Sequence, residues 1–213
     1  MRITTILIII SLALLVSCNS NSNEKRNDTN TTNQNDSIAV KNNTNETSRQ
    51  EITIEDTSFA YIVQTTIKKI ANKNFTEINA EEIIFSPYPY LSEKSVKLNT
   101  EEISKLLNSD SVLFWGKYAG SGEDINLSFN DYYNKFVFDK KYDSIPPVLL
   151  NVENRGTYQN NIKEFIPGSF IAEFYSEGTE KYSNMDWTSL YLVFAKNKDK
   201  YTLKAIVHNS WTP

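Results

Sequence analysis

Apolar side chains at Phe59, Ile62, Val63, Ile67 and Ile70 recur every three or four residues, which predicts an amphipathic helix over residues 56–74. Asp56, Thr57 and Ser58 each suit its N-cap. A shorter helix is expected over residues 100–109, capped by Thr100, with Glu101 and Glu102 in the first turn and Ile103, Leu106 and Leu107 facing inward. In "SFNDYYNKFVFD", Ser128 and Asp131 stand three apart like a capping box. Phe129, Tyr132, Tyr133, Phe136 and Val137 then form the buried side of a third helix. Beyond residue 146 the period changes. "PVLLNVEN", "SFIAEFYSE", "SLYLVFAKN" and "YTLKAIVHN" are short β-branched and aromatic runs between Gly, Pro, Asn and Asp, and they predict four strands. The last two are joined by a tight turn across Asn197 to Lys200. In that pair Leu190, Leu192 and Phe194 alternate with Tyr191 and Val193, so both faces of the sheet are expected to be covered.

Helices followed by an antiparallel meander give an α+β layout, with N-terminal helices packed on a C-terminal sheet of four or more strands. A curved sheet wrapped on the first helix fits an NTF2-like architecture, and a roll of another topology fits the same order of elements. The stretch "VLFWGKYAGSGEDINLSF" reads as a strand, a Gly-Ser-Gly turn and a short return. Its glycines match neither G-x-x-x-x-G-K-[ST] nor G-x-G-x-x-G, the spacings that let backbone amides wrap a phosphate. Glu123 and Asp124 follow, and would repel an anion.

The pattern before residue 51 is of another kind. Arg2 precedes an apolar run from Ile3 to Val16, too short for a comfortable membrane span of about 20 residues. It reads as a signal peptide over residues 1–17. Leu15, Val16, Ser17 and Cys18 resemble the bacterial lipobox, which implies lipidation of Cys18 and cleavage before it. Residues 18–50 are rich in Asn, Ser and Thr, lack aromatics and cannot offset their chain entropy by burial, so a disordered tether is expected. Asp36-Ser37-Ile38 is similar to an O-glycosylation site used by some Bacteroidota, and the Asn-x-Ser/Thr matches here are low-complexity coincidences. Residues 51–213 remain as a single domain.

Cys18 is the only cysteine and His208 the only histidine. The domain therefore holds no disulfide, no thiolate metal site and no cysteine nucleophile. No calcium-loop pattern occurs, so no metal and no cofactor are expected. The net charge is −4, and acidic residues outnumber basic ones in the domain, which argues against a nucleic-acid partner. Attachment to the membrane is expected through the lipid. Asn19 lacks the aspartate that signals inner-membrane retention in some bacteria, which favours the outer membrane.

Chemistry concentrates in few residues. His208 with Asp186, and a serine such as Ser86, Ser189 or Ser210, could form a hydrolytic triad on cell-wall or glycan material. The contrasting reading has His208 bonded locally at a strand edge and Asp186 bonded to a nearby backbone amide. Glu81 and Glu82, like Glu101 and Glu102, are expected at a helix start. The remaining signal is aromatic. Tyr88 and Tyr90 lie in a proline-stiffened segment, and Trp115, Trp187 and Trp211 fall at the ends of predicted strands. With Asp186 and His208 they could rim a pocket for a small molecule, glycan or protein partner. Core plugging is the alternative, since Tyr and Trp are often buried with one polar atom satisfied. A non-catalytic binding module is the leading expectation and a hydrolase the alternative.

The strings "FSPYPYL", "LFWGKYAGSGEDINLSFNDYYNKFVFD", "NNIKE", "NMDWTSLYLVF" and "AIVHNSWT" resemble, in order through residues 58–213, a family of secreted or lipid-anchored proteins of unknown function from Firmicutes and Bacteroidota. Asn184 stands where that pattern has glycine, and Lys117 and Ala119 replace more usual residues. The resemblance implies envelope location and an α+β fold, and it imports no activity.

Overall fold

The computed structural model describes residues 57–150, 156 and 158–212, all within the unit Thr47–Pro213. The signal peptide, Cys18 and the tether expected before residue 51 lie outside the described residues. The described chain opens with helix α1 (Thr57–Ala71), whose inward face of Phe59, Val63, Thr66, Ile67 and Ile70 is buried. Ile62 is half-buried against the same core.

Two short strands follow, β1 (Ile83–Ser86) and β2 (Val96–Leu98). Glu81 and Glu82 thus precede a strand and not a helix, correcting the sequence expectation. Helix α2 (Thr100–Leu106) is capped by Asn99, one residue earlier than expected. The Asn99 side chain accepts from the Glu101 and Glu102 amides at 3.0 and 2.9 Å, and Glu102 returns the contact to the Asn99 amide at 2.8 Å. Strands β3 (Val112–Lys117) and β4 (Asp124–Ser128) form a separate two-stranded sheet. The Gly-Ser-Gly stretch is their turn: Gly120 and Gly122 take φ of +79° and +69°, which a side chain resists. The Tyr118 amide donates to Glu123 O at 2.8 Å and closes it.

Helix α3 (Phe129–Tyr132) starts as its sequence predicts, with Ser128 Oγ accepting from the Asp131 amide at 3.2 Å. It then widens into a π-turn over Tyr133–Val137, closed by the Phe138 amide on Tyr133 O at 2.7 Å. The later elements are β5 (Val148–Leu150), the short helix α4 (Ile162–Phe165), β6 (Phe170–Ser176), β7 (Thr188–Asn197) and β8 (Lys200–Ser210).

The main sheet has the order β2-β1-β8-β7-β6-β5. Strands β5 to β8 form the expected antiparallel meander, and Asn197 pairs with Lys200 at its tight turn. β1 adds in parallel to β8, with Ile84 opposite Ala205, so the sheet is mixed. The fold is α+β. One sheet face, carrying Phe174, Leu190, Leu192, Phe194 and Ile206, packs with α1 and the π-turn segment in the larger core. The other, carrying Ile171, Tyr191, Val193, Ala205 and Val207, buries Leu91 and Ile162. Coverage of both faces explains why β7 is buried without interruption from Thr188 to Phe194.

Candidate functional site

The registers define two ends of the sheet. At one, Phe59 in the first turns of α1 meets Phe170, Phe194 and Tyr201, with ring centroids 5.6, 5.5 and 4.5 Å away. At the other, β1 and β8 finish and β7 begins: Ser86 lies opposite Val207, and Thr188 opposite Ser210. Tyr88 and Tyr90 follow β1, Asp186 and Trp187 precede β7, and Trp211 follows β8. The topology thus brings five of the expected site residues to this second end.

His208 lies on β8 opposite Leu190, so its side chain enters the larger core, where it is buried. Phe136 presents its ring edge-on at 5.5 Å. The π-turn delivers the chain to Asp139, whose Oδ2 stands 3.6 Å from His208 Nε2. That separation is an ion-pair distance and too long for a good hydrogen bond. Among the described residues neither ring nitrogen of His208 has a hydrogen-bond partner. Asp139 Oδ1 accepts from the Tyr142 hydroxyl at 2.8 Å, and Tyr142 and Thr188 share a hydrogen bond of 2.7 Å. A phenol has one proton, so the order of donation is Thr188 to Tyr142 to Asp139. Burial pushes the Asp139 carboxyl up, but the His208 contact and the Tyr142 hydroxyl together outweigh it and hold it below the usual carboxylate value. Burial, then the charge of Asp139, push the Tyr142 phenol up.

The carboxylate beside His208 is therefore Asp139, not Asp186. Asp186 is half-buried and accepts from the Thr179 amide at 2.6 Å and the Thr179 hydroxyl at 2.9 Å, closing its own loop. Those bonds, the amide first, lower its pKa. Of the serines that could serve as nucleophile, Ser86 donates to Tyr88 O at 2.7 Å and Ser189 to Glu173 Oε1 at 2.5 Å. Ser189 pairs with Asn209, so by strand alternation it points to the face opposite His208. Ser210 follows His208 by two residues on β8 and shares its face, but neither ring nitrogen of His208 is hydrogen-bonded to it, to the other serines or to Asp186, so the contacts of the triad anticipated from sequence are not made.

Aromatic side chains make the more continuous structure. Tyr88 is half-buried and stacks on Tyr158, with centroids 4.5 Å apart and planes at 18°. Its oxygen accepts from the Ala119 amide at 2.8 Å. Beside it, the exposed Lys135 donates to the Tyr118 hydroxyl at 2.8 Å and lies over the Tyr118 ring at 4.5 Å. Beneath this rim Tyr132 is fully buried, stacked on Trp115 with centroids 3.7 Å apart. Trp115 lies inside β3 and not at its end; its indole donates to Leu127 O at 2.9 Å, so it backs the group and does not rim it. Tyr132 packs on Phe136, 5.2 Å from centroid to centroid, yet its hydroxyl has no partner among the described residues.

Trp187 is buried against Tyr175, while Trp211 and Tyr90 are exposed. A Cβ on Gly156 would meet the Trp187 ring at 3.1 Å, so a bare backbone is needed there. The residues that complete the site, Tyr118, Tyr132, Lys135, Asp139 and Tyr158, were not singled out by sequence reasoning. The signal for three of them was available as "YYNKFVFD", a lone lysine among aromatics before an aspartate.

Among the described residues no group of three or more His, Cys, Asp or Glu side chains could hold a metal ion, and no helix is long and apolar enough to cross a membrane. Comparison with protein-family models, curated proteins and solved structures finds no match to this chain.

Proposed function

We propose that this chain is an envelope lipoprotein, anchored through Cys18, whose domain binds a small molecule, glycan or protein partner without transforming it. The observation that supports this reading is the half-buried group of Tyr88, Tyr118 and Tyr158 with Lys135, set over the buried, unpartnered hydroxyl of Tyr132. A few convergent polar groups among aromatic walls are what a ligand site requires. His208 supports it further, because neither of its ring nitrogens has a hydrogen-bonded hydroxyl to activate among the described residues.

Thermal unfolding of the full-length chain in detergent, with sugars, amino acids, short peptides and organic acids added in turn, tests the proposal. A ligand that binds the folded state raises the midpoint by mass action, about 2.7 kcal/mol at a hundredfold excess over Kd. The rise should vanish in Tyr118→Ala and Lys135→Ala, whereas His208→Ala should keep it. Turnover of any of these compounds, lost in His208→Ala with the fold intact, would overturn the non-catalytic reading.

A further inference from the structure

We propose that two copies of this chain associate through the free edge of β3, paired antiparallel about Leu113. The inference goes beyond the binding reading above and concerns a different surface, so neither depends on the other.

Strand β3 pairs only with β4, in a sheet of two strands. In an antiparallel pair alternate residues turn their N–H and C=O groups away from the neighbouring strand, and such a row is a template for a further strand. Apart from the β4 ladder, no backbone hydrogen bond among the described residues engages Val112 to Gly116. The outer face of this edge is apolar: Val112 is 62% and Phe114 53% exposed, while Trp115 is buried on the inner face. Beyond Phe114 the register shifts. Phe114 lies opposite Asn126 and Lys117 opposite Asp124, so β3 advances three residues while β4 advances two. Gly116, at φ +118°, lies within this bulge. The shift returns Lys117 to the face of Phe114, where it pairs with Asp124. Asp110, two residues before Val112, is exposed and has no ion pair among the described residues.

The exposed positions along the edge therefore read acid, apolar, apolar, base: Asp110, Val112, Phe114 and Lys117. That order is its own complement when reversed. Setting Leu113 opposite Leu113 of a second copy places Val112 against Phe114 twice over and brings Lys117 beside Asp110 at both ends. Cross-strand neighbours share a face, so apolar side chains cover each other and opposite charges meet. A second copy supplies all these matches by symmetry, which is what selects it as the occupant. The contact uses the same patch on both copies and closes at the dimer. Six residues of β3 on each side make a contact well under the roughly 800 Å² per partner of a standard interface, so the dimer is reversible and depends on concentration.

The test is sedimentation equilibrium of the full-length chain in density-matched detergent, with micelles in excess, over a wide range of protein concentration. The mass should rise with concentration towards twice that of the monomer. Phe114→Ser, Asp110→Lys and Lys117→Glu should each weaken association at least tenfold, whereas Lys97→Gln, in the Glu93 pair, should leave it unchanged. An equimolar mixture of Asp110→Lys and Lys117→Glu should restore association, because each variant supplies the charge the other now lacks. That recovery also shows that both variants are folded. Association that survives Phe114→Ser or either charge reversal, or that the mixture fails to restore, would overturn the pairing. A wild-type chain that stays monomeric throughout would overturn it too, and slow amide exchange from Val112 to Trp115 in that monomer would assign the edge to another part of the same chain.

Discussion

Tyr132 illustrates how much one oxygen atom can weigh in a core. Its ring is held on both sides, by Trp115 at 3.7 Å and Phe136 at 5.2 Å, and Phe at this position would keep both contacts. A buried hydroxyl without a partner costs about 1–3 kcal/mol, so removing the oxygen relieves a penalty and breaks no bond. Tyr132→Phe is therefore expected to raise the unfolding midpoint, by roughly 2–4 °C per kcal/mol in a domain of this size, while it weakens ligand binding. A loss of stability above about 1 kcal/mol in urea titration would mean that the hydroxyl is satisfied in solution. Asp139 makes the complementary case at low pH. Burial opposes its charge, but His208 and Tyr142 hold its folded-state pKa below the ordinary value. A depressed carboxylate stabilises the fold above its unfolded pKa, about 3.9, and loses that contribution as pH falls through the lower folded value. Unfolding free energy should therefore decline with acidification below about pH 4 in the wild type, and decline less steeply in Asp139→Asn. Identical acid limbs for the two proteins would remove Asp139 from the account.

Helix α2 lets the capping argument be tested within one element. Sequence spacing points to Thr100 as the cap, whereas Asn99 makes the two-way contact with Glu102. Both choices place a short polar side chain before two glutamates, and only backbone geometry separates them: Asn99 is extended, at φ −80° and ψ 167°, as a cap must be. Asn99→Ala should cost about 1 kcal/mol of stability and Thr100→Ala much less, as read from paired urea midpoints. The reverse order would restore the sequence assignment. Elements with their own period were legible in this way: α1, the start of α3, and strands β5 to β8. β1 and β2 were not, because four and three residues are too few to show alternation. Moreover, β1 finds its partner in β8, some 120 residues further along the chain, and local pattern carries no trace of that pairing. The candidate site divides in the same way. Tyr88 and His208 stood out one at a time, by proline context and by rarity. Their neighbours Tyr158 and Asp139 arrive by long-range packing and through a π-turn that the spacing of "YYNKFVFD", compatible with an ordinary helix, does not reveal.

At the scale of the whole molecule, the proposed anchor and the proposed site can be separated by one substitution. Cys18 precedes the described residues, which begin at Thr57, while the tyrosine-lined group lies where β1 and β8 finish. The lipid and the ligand are proposed for separate parts of the chain and should not depend on each other. In cells fed an alkyne-tagged palmitate, the wild-type chain should take up label and sediment with membranes, resisting carbonate and yielding to detergent. A single acyl chain gives only marginal attachment, so stable sedimentation requires more than one at this terminus. Cys18→Ser should lose both label and sedimentation. The same variant should unfold at the wild-type midpoint and keep any ligand-dependent rise in it, since the buried side chains of the described core, Tyr132 included, all belong to the domain. Label retained in Cys18→Ser would move the anchor elsewhere. An altered midpoint in the delipidated variant would instead show that anchor and domain depend on each other, and the two halves of the proposal would have to be joined.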